Sequence, residues 1–225
     1  MKRTIITTGD GSKTIHIPEW NEQYHSKHGA IQEARHVFLE TGLQHFLNEN
    51  PERKSVSILE MGFGTGLNAL LTYFKTKDLG ISINYTGVEA FPVSPEEAMA
   101  MEYASQLDRP IAPEIYRKMH EIPFGNRESV SDTFQLEKRQ QKFEDIEDMG
   151  VFDLVYFDAF GPRVQPDLWT EFIFKKMFTA LKSDGVLTTY CAQGAARRAM
   201  QAVGFEVERL PGPPGKREML RATKV

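Results

Sequence analysis

The chain has 225 residues, with 27 Lys and Arg against 31 Asp and Glu, a formal net charge of −4 and one cysteine. This size predicts a single domain (1–225), in which an N-terminal hairpin and helix extension (1–50) precedes the core (51–225). A single thiol excludes an internal disulfide and a cysteine-rich zinc site. The net negative charge argues against a protein that coats nucleic acid non-specifically. The lack of a long apolar run favours a cytoplasmic protein without membrane contact.

The N-terminal part of the chain is predicted to form a hairpin followed by a helix. Two β-rich runs within 4–17 flank Gly9-Asp10-Gly11-Ser12, a turn composition that is typical of hairpins. Apolar residues then recur at helical spacing through 30–47, and Pro51 closes this region.

From residue 56 onward, short apolar runs alternate with helical stretches. We expect core strands at 56–61, 83–89, 134–138, 152–157 and 185–190, helices at 67–74, from 94, at 167–181 and at 195–203, and a closing antiparallel pair at 205–209 and 218–223. Residues 109–131 have no clear period and are left unassigned. Strands that alternate with helices predict a mainly parallel, doubly wound sheet of the Rossmann-like α/β class.

A glycine-rich turn follows the first core strand. Gly62, Gly64 and Gly66 are spaced G-x-G-x-G, whereas the dinucleotide fingerprint needs one more residue before its last glycine, where Leu67 stands. The difference matters because dinucleotides require a seat for their pyrophosphate, which S-adenosylmethionine lacks. Glu60 before the turn suits a ligand with an ammonium group. The turn therefore predicts a site for S-adenosylmethionine at the carboxyl edge of the sheet.

Two carboxylates are expected at the same edge. Glu89 ends the second core strand, where a carboxylate can accept both hydrogen bonds of a ribose diol. Asp158 follows the buried strand 152–157, where it can orient a substrate amine and accept its proton. Phe160 offers a face on which a base can stack.

Two further residue patterns are interpreted as structural. His25-x-x-His28 has no further ligands near it in sequence, so we expect no metal site there. Cys191 lacks a neighbouring base that would activate it as a nucleophile, so a buried structural thiol is expected.

With these residues in place, the chain resembles the tRNA 5-methylaminomethyl-2-thiouridine methyltransferases, which act on the wobble uridine and are fused in many bacteria to a flavin-dependent oxidoreductase. The resembling stretches cover most of the chain: Tyr24 to Gly29 with Glu33, Arg35, Val37 and Phe38; GFGTGLN at 62–68; Glu89-Ala90-Phe91-Pro92; DAFGPRVQPDLW at 158–169; and Pro214 to Leu220. Fused members usually read Asp-Gly-Phe-Ala-Pro where this chain has Asp158 to Pro162.

The resemblance implies a set of site residues. The cofactor, S-adenosyl-L-methionine, is expected to contact Tyr24, Glu60, Gly62, Gly64, Gly66, Asn68, Glu89, Ala90 and Phe91. The acid that often meets the adenine amine is not obvious in this chain; Gln141 is favoured by its distance before Phe152, and Asp145, which is closer than usual, is the alternative. Catalysis is assigned to Asp158 and Phe160, and substrate binding to Pro162, Lys216 and Arg217. Neither a metal nor a flavin is expected.

The implied substrate is a tRNA whose wobble uridine carries an aminomethyl group, and the implied functional partners are a separate flavin-dependent oxidoreductase or the enzymes that install that group. Two alternatives remain open. One is a small-molecule N-methyltransferase or aminopropyl transferase on the same fold. The other is a non-catalytic S-adenosylmethionine-binding partner of an oxidase.

Overall fold

The computed structural model describes residues 2–225, in which eleven strands form two sheets. The strands are β1 Thr4–Thr7, β2 Lys13–Ile17, β3 Glu22–Gln23, β4 Ser55–Met61, β5 Ser82–Val88, β6 Arg127–Ser131, β7 Phe134–Arg139, β8 Phe152–Phe157, β9 Leu181–Thr189, β10 Phe205–Pro211 and β11 Glu218–Lys224. The α-helices are α1 Ala30–Ala34, α2 His45–Glu49, α3 Leu67–Leu79, α4 Pro95–Met99, α5 Ala112–Glu121, α6 Glu171–Ala180 and α7 Gly194–Ala202.

Short helical segments complete the chain. A π-helical segment, Arg35–Gln44, runs without a break from α1 into α2, so the predicted helix of the N-terminal extension is confirmed. One-turn 3₁₀ helices lie at Tyr103–Gln106, Phe143–Asp145 and Pro166–Trp169. No helix formed by residues 2–225 is both long and apolar enough to cross a bilayer.

The large sheet has the strand order β10-β11-β9-β8-β4-β5-β7-β6. Its five central strands, from β9 to β7, are parallel, and β6, β10 and β11 run antiparallel to their neighbours. The predicted Rossmann-like sheet with a closing antiparallel pair is confirmed. Strand β4 lies between β5, which follows it along the chain, and β8, which the chain reaches later. Because the chain connections diverge on the two sides of β4, a crevice opens at the carboxyl ends of these strands.

The core lies on both faces of this sheet. One face carries Tyr85 and Tyr156 and packs under the N-terminal helix, which contributes Phe38, and under α3 and α5. The opposite face carries Phe157 and packs under α6, which contributes Phe174, and under α7. Every side chain of β8 is buried, and five of its six residues are apolar or aromatic; the exception, Asp153, pairs with Lys182 at 2.9 Å.

The unassigned stretch 109–131 contains α5 and the edge strand β6. Helix α5 has Pro113 in its first turn, and it buries Ile115, Tyr116 and Met119. The exposed pattern of β6, which buries only Val130, explains why the sequence shows no alternation there. The two-residue strand β3 pairs with β2 and was also not predicted.

Candidate active site

A cavity of about 520 Å³ opens at the carboxyl ends of β4, β5 and β8, a size typical of ligand pockets. Its first side, here called the turn wall, is built from Gly62, Phe63, Gly64, Thr65, Leu67, Asn68, Glu89, Ala90, Phe91, Lys142, Phe143 and Glu144. The other side, the loop wall, is built from Arg3, Ile17, Trp20, Tyr24, His25, Asp158, Ala159, Phe160, Gln165 and Leu168. The crevice therefore brings the predicted glycine turn, Glu89 and Asp158 together.

The glycine turn is fixed by close backbone approaches. Gly62 has a φ of +96°, and a Cβ at this position would lie 2.6 Å from the carbonyl oxygen of Asp158. The backbone N–H groups of Gly62 and Phe63 both donate to the carbonyl of Val88, at 3.0 Å. Gly64 lies under Tyr24, whose ring carbon Cδ1 would be 3.2 Å from an added Cβ. Only glycine at position 62 leaves room for this turn beside the end of β8.

Gly62→Ala is expected to lower the free energy of unfolding by about 1–3 kcal/mol and to weaken S-adenosylmethionine binding at least tenfold, because the methyl group must displace the Asp158 backbone from the cavity. Denaturant unfolding and calorimetry measure the two effects. Gly125→Ala is the matched control, because Gly125 has a φ of +87° with no atom within 4 Å of the added Cβ. Equal affinities in the two variants would contradict this account.

Glu89 stabilises the turn wall from the end of β5. Its Oε2 accepts a hydrogen bond from the N–H of Gly64, and its Oε1 accepts one from the N–H of Phe91, both at 3.0 Å. The carboxylate thus connects the glycine turn to the loop after β5, and each oxygen keeps a second lone pair for a ligand hydroxyl. Ala90 lines the cavity beside it, and the side chain of Phe91 is 70% exposed.

Asn68 bridges two acidic side chains beneath the turn. Its Nδ2 donates to Oε1 of Glu60 at 2.8 Å and to Oδ2 of Asp158 at 2.9 Å. Glu60 also accepts a hydrogen bond from the hydroxyl of Tyr85, and burial raises the pKa of Glu60 well above its ordinary value. Glu60 is only 1% exposed and does not line the cavity, so in this geometry it orients Asn68, whereas direct contact with a ligand was expected.

Asp158 lies at the base of the cavity, where the loop after β8 begins. Burial raises the pKa of Asp158 to about 7, and the negative charge of Glu33 adds to this shift. The hydrogen bond from Asn68 and the positive charge of Lys216 act in the opposite direction. An acid with a pKa near neutrality is suited to accepting a proton at physiological pH.

Aromatic side chains cover the loop wall above Asp158. Phe160 packs edge-to-face against Trp20, with ring centroids 5.5 Å apart, and against Tyr24, with ring centroids 5.1 Å apart. Arg163 holds this arrangement, because its guanidinium donates to the carbonyls of Trp20 and Asn21. The N-terminal extension therefore forms part of the cavity itself.

Several lining residues were not predicted from the sequence. Arg3 pairs with Glu97 at 2.8 Å and donates to the carbonyl of Phe91, which joins the first strand to the turn wall. Arg3 and Trp20 were both missed because they lie far from the core strands in the sequence, and no local pattern indicates a contact over such a separation.

The residue expected to meet the adenine amine lies just beside the cavity. Gln141 is not among the lining residues, whereas Lys142, Phe143 and Glu144 are. Among these three, Glu144 offers a carboxylate that can accept from an amine, and it pairs with Lys142 at 3.0 Å. Gln141 precedes the 3₁₀ helix Phe143–Asp145 and Glu144 lies within it, three residues later, so sequence spacing alone could not separate them.

The residues expected to bind substrate also lie outside the cavity lining. Lys216 pairs with Glu33 at 2.6 Å and lies 3.6 Å from the ring centroid of Tyr190, so its charge has a partner. The side chain of Arg217 is 89% exposed. Pro162 follows the lining loop without lining the cavity.

Of the residue patterns interpreted as structural, His25 and Cys191 are buried, whereas His28 is exposed. His25 is 9% exposed, its Nδ1 lies 3.4 Å from the hydroxyl of Tyr103, and burial lowers its pKa to about 4. Within residues 2–225, no group of three or more His, Cys, Asp or Glu side chains could hold a metal ion. The buried thiol of Cys191 is confirmed, and burial raises its pKa.

Comparisons with known proteins agree with this geometry. Residues 109–225 match a family model described as S-adenosyl-L-methionine-dependent methyltransferase. A tRNA 5-methylaminomethyl-2-thiouridine biosynthesis bifunctional protein from Ralstonia nicotianae is 30% identical over 211 residues, which cover 89% of this chain and 31% of that protein. Its counterpart from Delftia acidovorans is 29% identical over 241 residues, which cover 99% of this chain and 35% of that protein. The chain spans about a third of the length of these relatives.

A solved structure shows the same architecture. The crystal structure of MNMC2 from Aquifex aeolicus superposes with a TM-score of 0.75 and 25% sequence identity, covering 98% of this chain and 70% of that one. The resemblance inferred from the sequence motifs is confirmed by these matches.

Proposed function

The chain belongs to the S-adenosyl-L-methionine-dependent methyltransferase family, and from this premise we propose which methyl acceptor it uses. The proposed reaction transfers the methyl group of S-adenosylmethionine to the primary amine of 5-aminomethyl(-2-thio)uridine at the wobble position of tRNA, giving 5-methylaminomethyl(-2-thio)uridine. The observation that carries the proposal is the position of Asp158, which lines the cavity directly beside the glycine turn and is held there by Asn68. The names of the relatives supply the substrate class.

The residues of the turn wall fit S-adenosylmethionine. Gly62 leaves a space that a Cβ would fill, and Glu89 keeps lone pairs for the two ribose hydroxyls. We assign Asn68, which Glu60 orients, to the methionine end of the cofactor, and the lining residues Phe143 and Glu144 to its adenine end. When bound, this cofactor supplies a methyl group activated by a positively charged sulfonium.

The residues of the loop wall then have to place a neutral amine in line with that methyl group. An alkyl amine near the lysine reference pKa of about 10.4 is mostly protonated at neutral pH. Ionised Asp158 binds this ammonium group and accepts one proton from it, directly or through a water, which frees the nitrogen lone pair. Asn68 holds Oδ2 of Asp158, so the carboxylate keeps its direction during this step. The aromatic cover of Trp20, Tyr24 and Phe160 excludes bulk water from the amine.

The experiment that tests the proposal is nucleoside mass spectrometry of tRNA from a strain that lacks this protein. We expect 5-aminomethyl(-2-thio)uridine to accumulate and the methylated nucleoside to disappear, and re-expression should reverse both changes. Turnover on free polyamines without tRNA would instead indicate a small-molecule N-methyltransferase or aminopropyl transferase. Cofactor binding without turnover on undermodified tRNA would indicate a non-catalytic partner of an oxidase.

In this proposal the protein acts in the cytoplasm on tRNA that other enzymes have prepared. Those that install the aminomethyl group, or a separate flavin-dependent oxidoreductase that exposes it, are its functional partners. The chain itself is proposed to need no metal and no flavin.

The two basic residues outside the cavity are expected to behave differently in tRNA binding. Arg217→Ala should weaken tRNA binding and lower the salt slope of the affinity by roughly 0.7–0.9, the value for one lost phosphate contact, because this side chain is 89% exposed and its Nε lies 4.0 Å from the Glu218 carboxylate, at the limit of an ion pair. Lys216→Ala should leave that slope unchanged, because Lys216 is paired with Glu33.

Filter binding across a salt series measures both slopes. Arg117→Ala, which removes an exposed arginine on α5, is the control. A slope that changes equally in the Lys216 and Arg217 variants would mean that the ion pair with Glu33 opens when tRNA binds.

A further inference from the structure

The loop wall contains a polar side chain whose hydrogen-bonding groups are unused. Gln165 lines the cavity, and its hydrogen bonds to other described residues involve only its backbone: its N–H donates to the carbonyl of Gly161 at 3.1 Å, and its carbonyl accepts from the N–H of Leu168 at 3.2 Å. The side-chain amide therefore retains one donor group and one acceptor for a ligand.

The loop that carries Phe160 also carries Gln165. The hydrogen bond to Gly161 folds this loop back within four residues, so Gln165 returns to the residue that follows Phe160, and both side chains line the cavity. Phe160 is itself fixed, because its carbonyl accepts a hydrogen bond from Nε1 of Trp169 at 2.8 Å. The amide is thus mounted on a loop whose conformation is set by hydrogen bonds within it.

Trp20 and Phe160 form a corner that fits a flat ring. Their ring planes meet at 81°, so a planar base stacked on one ring presents its edge to the other. The loop wall thus combines stacking surface, one amide and, at its base, Asp158. A ligand that matches all three has a flat aromatic ring, adjacent donor and acceptor atoms on one edge, and an amine on a short arm.

We propose that Trp20, Phe160 and Gln165 form the binding site for the uracil base of the acceptor nucleotide, with the Gln165 amide paired to the N3–H and O4 of the ring. This inference rests on the proposed function, since it names how the acceptor of that same reaction is recognised. The Gln165 carbonyl oxygen accepts from N3–H, and its NH₂ group donates to O4. The base must leave the anticodon stack to reach this site, which costs little in a single-stranded loop.

Equilibrium binding and turnover of two synthetic anticodon stem-loops test the proposal. Both carry 5-aminomethyluridine at the wobble position, and one of them is also methylated at N3, which removes the donor. Each is titrated, with S-adenosylhomocysteine present, against the wild-type protein, Gln165→Ala and Trp20→Leu. Gln201→Ala removes an exposed glutamine of α7 that does not line the cavity and serves as the matched control.

For the wild type and the Gln201 control, N3-methylation is expected to weaken binding about 10- to 100-fold, the scale of one bidentate base contact. Gln165→Ala should bind the unmethylated loop about 10- to 100-fold more weakly than the wild type does, and N3-methylation should cause no further loss of affinity in this variant. Trp20→Leu should weaken both loops by similar factors, of about 5- to 100-fold, because stacking does not depend on N3. Calorimetry should show unchanged S-adenosylmethionine affinity in all variants.

Wild-type affinity of Gln165→Ala for the unmethylated loop, or discrimination between the two loops equal to that of the wild type, would overturn the assignment of Gln165. Binding of the stem-loops is measured independently of methyl transfer, so the two proposals can fail separately. If the wild type binds the loops with the expected discrimination but transfers no methyl group, the proposed function fails and the base site holds. If it methylates the loop with no dependence on Gln165, the proposed function holds and the base site is wrong.

Discussion

Asp158→Ala is expected to lower turnover on aminomethylated tRNA by about 10²–10⁴-fold while leaving S-adenosylmethionine affinity nearly intact. The reason is the position of the carboxylate, which lines the cavity on the loop after β8, beside the glycine turn but outside it. Single-turnover assays and calorimetry separate the two quantities. Asp167→Ala changes an exposed aspartate of the same loop that does not line the cavity, and it should retain wild-type turnover.

Asp158→Asn distinguishes orientation from proton transfer. The wild-type kcat/KM should rise with pH up to an inflection at or below about 7, since the raised pKa of Asp158 leaves it protonated under acidic conditions and the positive charge of the cofactor can only lower that pKa. Above the inflection the profile should stay flat, because the ionised acid binds the ammonium form of the substrate, which persists to about pH 10.

The asparagine variant cannot accept a proton, so it must use the minor neutral amine. Its kcat/KM should therefore keep rising with pH between 7 and 9, about tenfold per unit, and approach the wild-type rate only in alkali. A variant profile parallel to that of the wild type, at nearly wild-type rates, would mean that solvent removes the proton and that Asp158 only orients the amine. A wild-type rate in Asp158→Ala would place the active site elsewhere.

Glu89→Ala is expected to weaken S-adenosylmethionine binding by about 3 kcal/mol or more, since hydrogen bonds to a charged group contribute roughly 1.5–3 kcal/mol each and two ribose hydroxyls are involved. In this structure the same carboxylate also accepts the N–H groups of Gly64 and Phe91, so its loss additionally loosens the turn wall. Calorimetry measures the affinity, and the affinity for S-adenosylhomocysteine should fall by the same factor because the ribose is unchanged.

Two companion variants sharpen this result. Glu89→Gln keeps one acceptor oxygen and should lose less affinity than Glu89→Ala, whereas Glu114→Ala, which removes an exposed carboxylate on α5, should lose none. Undiminished binding in Glu89→Ala would remove Glu89 from the site. Tight binding of NAD by the wild type, with no binding of S-adenosylmethionine, would contradict the assignment of the turn.

The sequence by itself determined the parallel strands of the sheet and the position of the turn, because both depend on local patterns, whereas the exposed edge strand β6 was missed. Strand β8 was predicted with its observed bounds, since a fully buried parallel strand is a nearly continuous apolar run, here interrupted only by Asp153. The G-x-G-x-G spacing located the turn because only glycine permits the close approach of Gly62 to the Asp158 backbone. The location of Glu89 and Asp158 at one cavity followed from the rule that parallel strands end at the same edge of a sheet.

Only the tertiary structure decided which side chains complete the cavity. Arg3 and Trp20 reach it through the fold of the N-terminal extension, and no periodicity in the sequence reports a contact across so long a separation. Burial decided the roles of the acids: Glu60 was expected at the ligand but is covered by Asn68 and Tyr85, whereas Asp158 stays open to the cavity. Desolvation and neighbouring charge depend on three-dimensional packing, so a sequence can name its acids but cannot show which of them faces the substrate.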